Sequence, residues 1–238
     1  MLFRSDKFSA TSALTITVTG ANDAPTAQAD QASVIEDAVL VRTAANGLLS
    51  NDSDVDAGTN LRITSIRNGI SDTPQSVPSN GSANLSNGYG TLSVASDGSY
   101  SFNADGADAQ ALGVGASAQT SFTYTVSDGI SSQTSTLTFT IQGQNDAPRV
   151  VPPLAPLPPG IEGTDYVLQL SDLLAGIQDP DLGDQLTVGS ISQGGENATP
   201  LGNGTWLLQT PRSNQVDLGS GTEDTPITLS LNQLLGGS

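Results

Sequence analysis

The residues best placed to do chemistry form the run Asn51-Asp52-Ser53-Asp54-Val55-Asp56-Ala57-Gly58. Three carboxylates at alternate positions of one tight loop can converge on a hard cation, and Ca²⁺ takes about six to eight oxygen ligands. The loop is not an EF-hand. Counted from Asp52, glycine comes one position late, and Ile63 stands where that motif needs a bidentate Glu. A second acidic run, Asp179-Pro180-Asp181-Leu182-Gly183-Asp184, occupies the equivalent place further along. Asp, Ser and Gly also cap ordinary surface loops, but recurrence of the cluster favours calcium over that plainer reading.

Other chemistries are hard to build from this chain. It has no Cys and no His, which removes disulfides, thiol and imidazole catalysis and the usual zinc or copper ligands. The sole lysine, Lys7, lies near the start, so a Ser-Lys site is not expected, and the carboxylate pairs sit in turns that calcium or capping already explains. The chain is therefore not expected to be an enzyme. Seven basic residues face 24 acidic ones, a formal charge of −17. Such a surface repels phosphate backbones and argues against nucleic acid. No stretch is long and apolar enough to cross a membrane, so membrane insertion is not expected either. The opening residues lack the apolar core of a signal peptide. Leu2-Phe3-Arg4-Ser5 matches a translated sequencing adapter, so residues 1–8 are expected to be non-native, with the true chain beginning near Ser9 or Ala10 in a longer reading frame.

The elements that must hold these loops are strands. Apolar residues make up 36% and aromatics only 4%, among many Gly, Pro, Ser, Thr and Asn, a composition suited to short strands joined by turns. The segment Thr11–Pro25, TSALTITVTGANDAP, returns 123 residues later as TSTLTFTIQGQNDAP, with ten of fifteen positions identical. A repeated alternating strand that runs into an Asn-Asp-Ala-Pro turn marks a tandem array. Residues 13–19 read as the last strand of a preceding module. A complete module spans 26–143, with strands expected near 33–35, 38–42, 61–67, 91–95, 99–103, 120–127 and 134–142. Turns are expected at Asn46-Gly47, Asn80-Gly81, Asn87-Gly88, Asp97-Gly98 and Asp128-Gly129. About seven short strands at this spacing predict an all-β fold of tandem Ig-like antiparallel β-sandwich modules. A second, truncated module is expected over 144–213, entered through the stiff run VPPLAPLPPG (151–160), and a third begins within 214–238. The second and third starts are marked by Glu162-Gly163-Thr164 and Glu223-Asp224-Thr225.

These motifs resemble the VCBS-type, cadherin-like repeats of large bacterial RTX-type surface adhesins. The residues concerned are GLLSNDSDVDAGTNLRITSI (47–66), YGTLSVASDGSYSF (89–102) and SFTYTVSDG through QNDAP (121–148), with LSDLLAG (170–176) typical of neighbouring cadherin-like repeats. The resemblance implies extracellular modules strung into a calcium-stiffened stalk and exported by a type I system. It further implies that Asn145-Asp146 and Asn22-Asp23 are interdomain linkers of the cadherin kind, where carboxylates from both modules share ions. Glu36-Asp37, Glu162 and Asp128 would complete such sites. An Asx-turn followed by Pro explains NDAP equally well on its own.

The residues expected at calcium are thus Glu36, Asp37, Asp52, Asp54, Asp56, Asp128, Asn145, Asp146, Asp179, Asp181 and Asp184. Expected partners are neighbouring repeats of the same chain and, through the whole protein, glycans or host and abiotic surfaces. The expected function is a stalk segment supporting adhesion and biofilm attachment. The alternatives are a glycan- or surface-binding module and, further off, a carboxylate-based hydrolase. Three motifs read as ordinary structure. The Thr rows at 15, 17, 19 and 136, 138, 140 suit solvent-facing strand positions, GVGASA (113–118) is a loop without βαβ context, and Trp206 anchors the second core.

Overall fold

The computed structural model describes residues 2–5, 8–11, 13–152, 165–193, 196–202 and 204–208. The expected third module, Glu162 and much of the Pro-rich run lie outside the described residues. β1 (Leu2–Ser5) and β2 (Phe8–Thr11) pair as a hairpin. The first module then contains β3 (Asp30–Ile35), β4 (Val39–Arg42), β5 (Arg62–Asn68), β6 (Gln75–Ser76), β7 (Ser82–Asn87), β8 (Gly90–Ala95), β9 (Tyr100–Asn103), β10 (Ser117–Ser127) and β11 (Ser132–Gln142). They form two sheets, ordered β3-β11-β10-β5-β6 and β4-β9-β8-β7.

Alternation explains which faces meet. In β11, Leu137, Phe139 and Ile141 are fully buried, while the intervening threonines stay on the outer side. Leu92, Val94 and Phe102 approach from the other sheet and share a core with Phe122, Tyr124 and Val126. Phe102 stacks on Phe139 at a centroid distance of 4.2 Å, and Phe122 and Tyr100 each meet Phe139 edge-on at 6.0 Å. With so few aromatic residues in the chain, this cluster concentrates the large apolar area where the sheets face each other.

Each strand expected within 26–143 has a counterpart, whereas residues 13–19, expected as a strand, form none, and two strands of this module were not expected. β6 and β7 carry Gln75-Ser76 and SANLSN, whose Ser and Asn content reads as loop. Pairing of β6 with β5 through Ser65↔Ser76 and Ile66↔Gln75, and of β7 with β8 through Ser82↔Ala95 to Asn87↔Gly90, overrides that local preference. The turn expected at Asn46-Gly47 takes the form of a 3-10 turn, Ala44–Asn46. The sandwich is antiparallel except for one pair: β3 runs parallel to β11, from Asp30↔Leu137 to Ile35↔Gln142. The sequence reading expected antiparallel sheets throughout, and strand direction is invisible to alternation, which is the same either way.

The second region is built from β12 (Arg149–Val150), β13 (Tyr166–Gln169), the one-turn helix α1 (Leu170–Leu173), β14 (Ile177–Gln178), β15 (Ser192–Gln193), β16 (Glu196–Asn197), β17 (Thr199–Gly202) and β18 (Thr205–Leu208). β13, β18 and β17 form its largest sheet. Leu168, Leu173, Ile191 and Ala198 make a small core, and Trp206 packs against it as expected. No helix among the described residues is long and apolar enough to cross a membrane.

One half-buried acid of the first module is held by a tyrosine hydroxyl. The Tyr124 hydroxyl donates to Asp30 Oδ2 at 2.6 Å, with the Gln28 carbonyl oxygen 2.7 Å away. Burial, reinforced by the nearby Asp52 carboxylate and opposed by the Tyr124 hydrogen bond, raises Asp30 from the ordinary 3.8 to about 6. The folded state then holds this proton more tightly than the unfolded chain, so its contribution is favourable at low pH and is lost as pH rises through the folded value.

Two outcomes are expected. Phe139→Ala lowers the unfolding free energy by roughly 3–5 kcal/mol, read from denaturant titration followed by circular dichroism. In wild type the thermal midpoint falls as pH rises from 3.8 to about 6, and Asp30→Asn flattens that fall. An unchanged pH profile in Asp30→Asn removes the assignment.

Candidate metal centre

The parallel pairing of β3 with β11 decides where the acids go. Glu36 N–H extends the ladder by donating to Gln142 O at 3.0 Å, so Glu36 and the chain leaving β11 emerge side by side. Asp37 follows with φ of 60°, a left-handed conformation that Asp tolerates better than most residues, and its N–H donates to Ala104 O at 2.9 Å. On the other strand, Gly143 passes so close to the Leu112 carbonyl that a Cβ would sit 2.0 Å from its oxygen. Only glycine fits there. Gln144 N–H then donates to Glu36 Oε1.

The linker next engages the second acidic loop. Asn145 Nδ2 donates to Asp146 O at 2.8 Å, and Asp146 N–H donates to Asp181 Oδ2 at 2.8 Å. Within the loop, Asp181 N–H donates to Asp179 Oδ1 at 3.1 Å, closing an Asx-turn. The carboxylate oxygens of Asp179, Asp181 and Asp184 lie within 4.8 Å of one another. Glu36 and Asp181 are each only 3% exposed, an unusual depth for acids without a paired cation.

Hydrogen bonds leave this group incomplete. Glu36 Oε2, Asp146 Oδ2 and Asp181 Oδ1 are buried and have no hydrogen-bond partner. Burial raises the Glu36 carboxyl above the usual range, the Gln144 N–H opposes that rise, and repulsion from Asp146, Asp181 and Asp37 adds to it. Asp146 is raised for the same reason, by burial first and then by Asp37 and Asp181. The nearby guanidinium of Arg149, 3.9 Å from Asp146 Oδ1, offsets only part of this. A buried acceptor without a donor costs free energy, and one without a countercharge costs more. An oxygen-rich set with surplus negative charge fits a hard divalent cation, and Glu36, Asp146, Asp179, Asp181 and Asp184 are the residues that would hold it.

At the opposite end of the first module half of this pattern is repeated. Asn22 Nδ2 donates to Asp23 O at 2.6 Å, Asp23 N–H to Asp56 Oδ2 at 2.8 Å, and Asp56 N–H to Asp54 Oδ1 at 2.8 Å. Asn22, Asp23, Asp54 and Asp56 therefore stand as Asn145, Asp146, Asp179 and Asp181 do. Asp54 Oδ2 is also buried without a partner.

The eleven expected residues thus fall into two groups, with Glu36, Asp37, Asn145, Asp146, Asp179, Asp181 and Asp184 at one end and Asp52, Asp54, Asp56 and Asp128 at the other. Asp52 does not converge with Asp54 and Asp56 as the alternate spacing suggested. Its Oδ1 accepts the Gln28 N–H at 2.8 Å, which turns it inward toward Asp30. Asp37 is exposed, and its Oδ1 takes a 2.6 Å bond from Gln110 Nε2. Asp128 is occupied as a turn acceptor: its Oδ1 takes Ile130 and Ser131 N–H groups at 2.6 Å each, and its Oδ2 takes Asn22 Nδ2 at 2.9 Å. Those bonds hold its carboxyl below the ordinary range. Asp23 belongs with Asp54 and Asp56, and its signal in the sequence was the repeat of Asn-Asp-Ala-Pro.

Comparison with known proteins finds two family matches along the chain. The family profile described as a bacterial cadherin-like domain matches residues 22–143, and one described as a cadherin-like domain matches residues 144–215. No curated protein matches the sequence. Among solved structures, the chain is similar to the endo-fucoidan hydrolase MfFcnA4 from glycoside hydrolase family 107, at 17% identity and a TM-score of 0.33. A variant of that enzyme gives 19% identity and the same TM-score. In both cases 81% of this chain is covered, and the chain spans 25% of the other's length.

Glu36→Gln keeps an acceptor for the Gln144 N–H while removing a buried charge. In the absence of divalent cations it should raise the thermal midpoint of the full chain, measured by calorimetry. A lowered midpoint would mean that the charge is already compensated.

Proposed function

We propose, from the premise that this chain belongs to the family of bacterial cadherin-like domains, that it is a stalk segment of a secreted bacterial adhesin in which Ca²⁺ stiffens the joint between two modules. The observation that carries the reading is the set of three orphaned, buried carboxylate oxygens, Glu36 Oε2, Asp146 Oδ2 and Asp181 Oδ1. They come from the first module, the linker and the following loop, so one ion bound by them would tie all three together.

The mechanism is mechanical. The chain's own residues do the positioning. Gln144 N–H orients Glu36, Asp146 N–H orients Asp181, and Asp181 N–H orients Asp179. Calcium supplies the positive charge that relieves repulsion among these acids. With repulsion gone and the linker held from both sides, the joint loses bending freedom and the array extends. Binding to the folded state also stabilises it by mass action, by about 2.7 kcal/mol at one hundred times the dissociation constant.

The half-pattern at Asn22, Asp23, Asp54 and Asp56 supports repetition of such joints along the array. Bacterial cadherin-like domains are typically extracellular, which suits a chain without Cys whose stability rests on core and ions. Membership of a VCBS-type RTX adhesin, type I export and a role in biofilm attachment extend this reading to the whole protein. The chain carries no part of the chemistry in this proposal and acts by holding a binding domain away from the cell.

The test is small-angle scattering and calorimetry on the full chain, in millimolar Ca²⁺ and then in chelator. Calcium should lengthen the particle, narrow its distribution of shapes and raise the unfolding midpoint. Asp181→Asn should abolish most of the response. Identical profiles in calcium and chelator would end the proposal.

A further inference from the structure

Positive charge is scarce in this chain, and one base stands at the joint. Arg149 is the sole basic residue between Arg67 and Arg212. Its contact with Asp146 is the only ion pair among the described residues.

Two elements hold Arg149 in place. β12 pairs with β14 through Arg149↔Gln178, so its backbone belongs to the second region and lies beside the strand that leads into Asp179. Its side chain reaches back to the first module. Arg149 Nη2 donates to Gln110 Oε1 at 3.1 Å, and Gln110 Nε2 donates to Asp37 Oδ1 at 2.6 Å. The guanidinium is thus tethered through a neutral amide to the residue that follows Glu36.

From there it meets the acids only at their edge. Nη2 is 3.9 Å from Asp146 Oδ1, and the side chain is 63% exposed. Asp146 Oδ2, Glu36 Oε2 and Asp181 Oδ1 still lack a donor. A guanidinium makes strong paired bonds to a carboxylate that it meets face on. Here a donor goes to an amide, and an exposed pair at this distance contributes little stability of its own. What Arg149 supplies is a fixed positive charge beside the oxygens that would hold an ion.

We propose that Arg149, held by Gln110, is a tethered counter-charge that sets how much calcium the joint needs. The inference rests on the calcium-bound joint proposed above. In the empty joint the guanidinium offsets part of the repulsion around Asp146. Toward a divalent ion the same charge is repulsive, so the joint takes calcium less tightly than its acids alone would allow. By linkage, Arg149 then stabilises the empty joint more than the loaded one. Calcium affinity follows the charge count of a site, and a weakened site empties where calcium is scarce and fills where it is plentiful.

Calcium titration calorimetry of the full chain tests this, together with thermal unfolding in chelator and in saturating calcium. Arg149→Gln should bind calcium roughly three- to tenfold more tightly at low salt, the effect of removing one unit charge that faces a divalent ion across partly wet space. The gain should shrink at high salt. Arg149→Lys keeps the charge and should stay near wild type. Gln110→Ala unties the guanidinium and should move part of the way towards Arg149→Gln. The unfolding midpoint of Arg149→Gln should fall in chelator and fall less in saturating calcium. A residue that only positions the linker would lower both midpoints equally.

If wild type binds calcium and Arg149→Gln binds it no more tightly, this inference alone is overturned. Equal tightening by Arg149→Lys overturns the role of charge, and unchanged affinity in Gln110→Ala overturns the part given to Gln110. If neither wild type nor Arg149→Gln binds calcium, the calcium joint itself fails and this inference falls with it.

Discussion

The parallel pairing of β3 with β11 is the constraint on which the rest of this structure depends. In an otherwise antiparallel sandwich, it brings the residue after Ile35 and the residue after Gln142 out of the same edge in the same direction. Glu36 and Gln144, more than a hundred positions apart in sequence, therefore meet where the first module ends. The aromatic cluster around Phe139 holds β11 against the opposite sheet, so the apolar core and the acidic joint share one strand. Core packing fixes the height of β11, and that height sets where Asp146 reaches the second loop.

The joint works against its own electrostatics. Glu36 and Asp181 are buried with acceptors unmet, and burial, then mutual repulsion, lifts the carboxyls of Glu36 and Asp146. Backbone N–H groups satisfy one oxygen of Glu36 and one of Asp181, which fixes the geometry and leaves the other oxygen of each without a donor. A site arranged this way could hold a cation, because its ordering comes from hydrogen bonds that do not neutralise the charge. Asp30 shows the contrast within one module: it is also raised, but its donor is the Tyr124 hydroxyl inside the sandwich, and it belongs to folding rather than to the joint.

Much of the fold is readable from the chain. Leu137, Phe139 and Ile141 alternate with threonine, and alternation of this kind has one physical solution, a strand with one dry face. Asp97-Gly98 and Asp128-Gly129 carry turn chemistry, and both glycines adopt positive φ. β7 escaped because Ser, Asn and Ala have little strand preference of their own, and its existence rests on the ladder with β8. The acids were equally visible as types and only partly as partners. Asp52, Asp54 and Asp56 share a spacing, yet Gln28 turns Asp52 inward while Asp23 takes Asp56 outward.

By itself, then, the sequence determined the class of structure, the repeating unit and the kind of ligand atom, because these follow from alternation, self-similarity and the absence of His and Cys. Tertiary structure decided which acids stand together. Strand direction and the close approach of Gly143 to Leu112 are long-range facts, set by core packing between residues far apart along the chain. Those facts split one list of acids into two ends of a module.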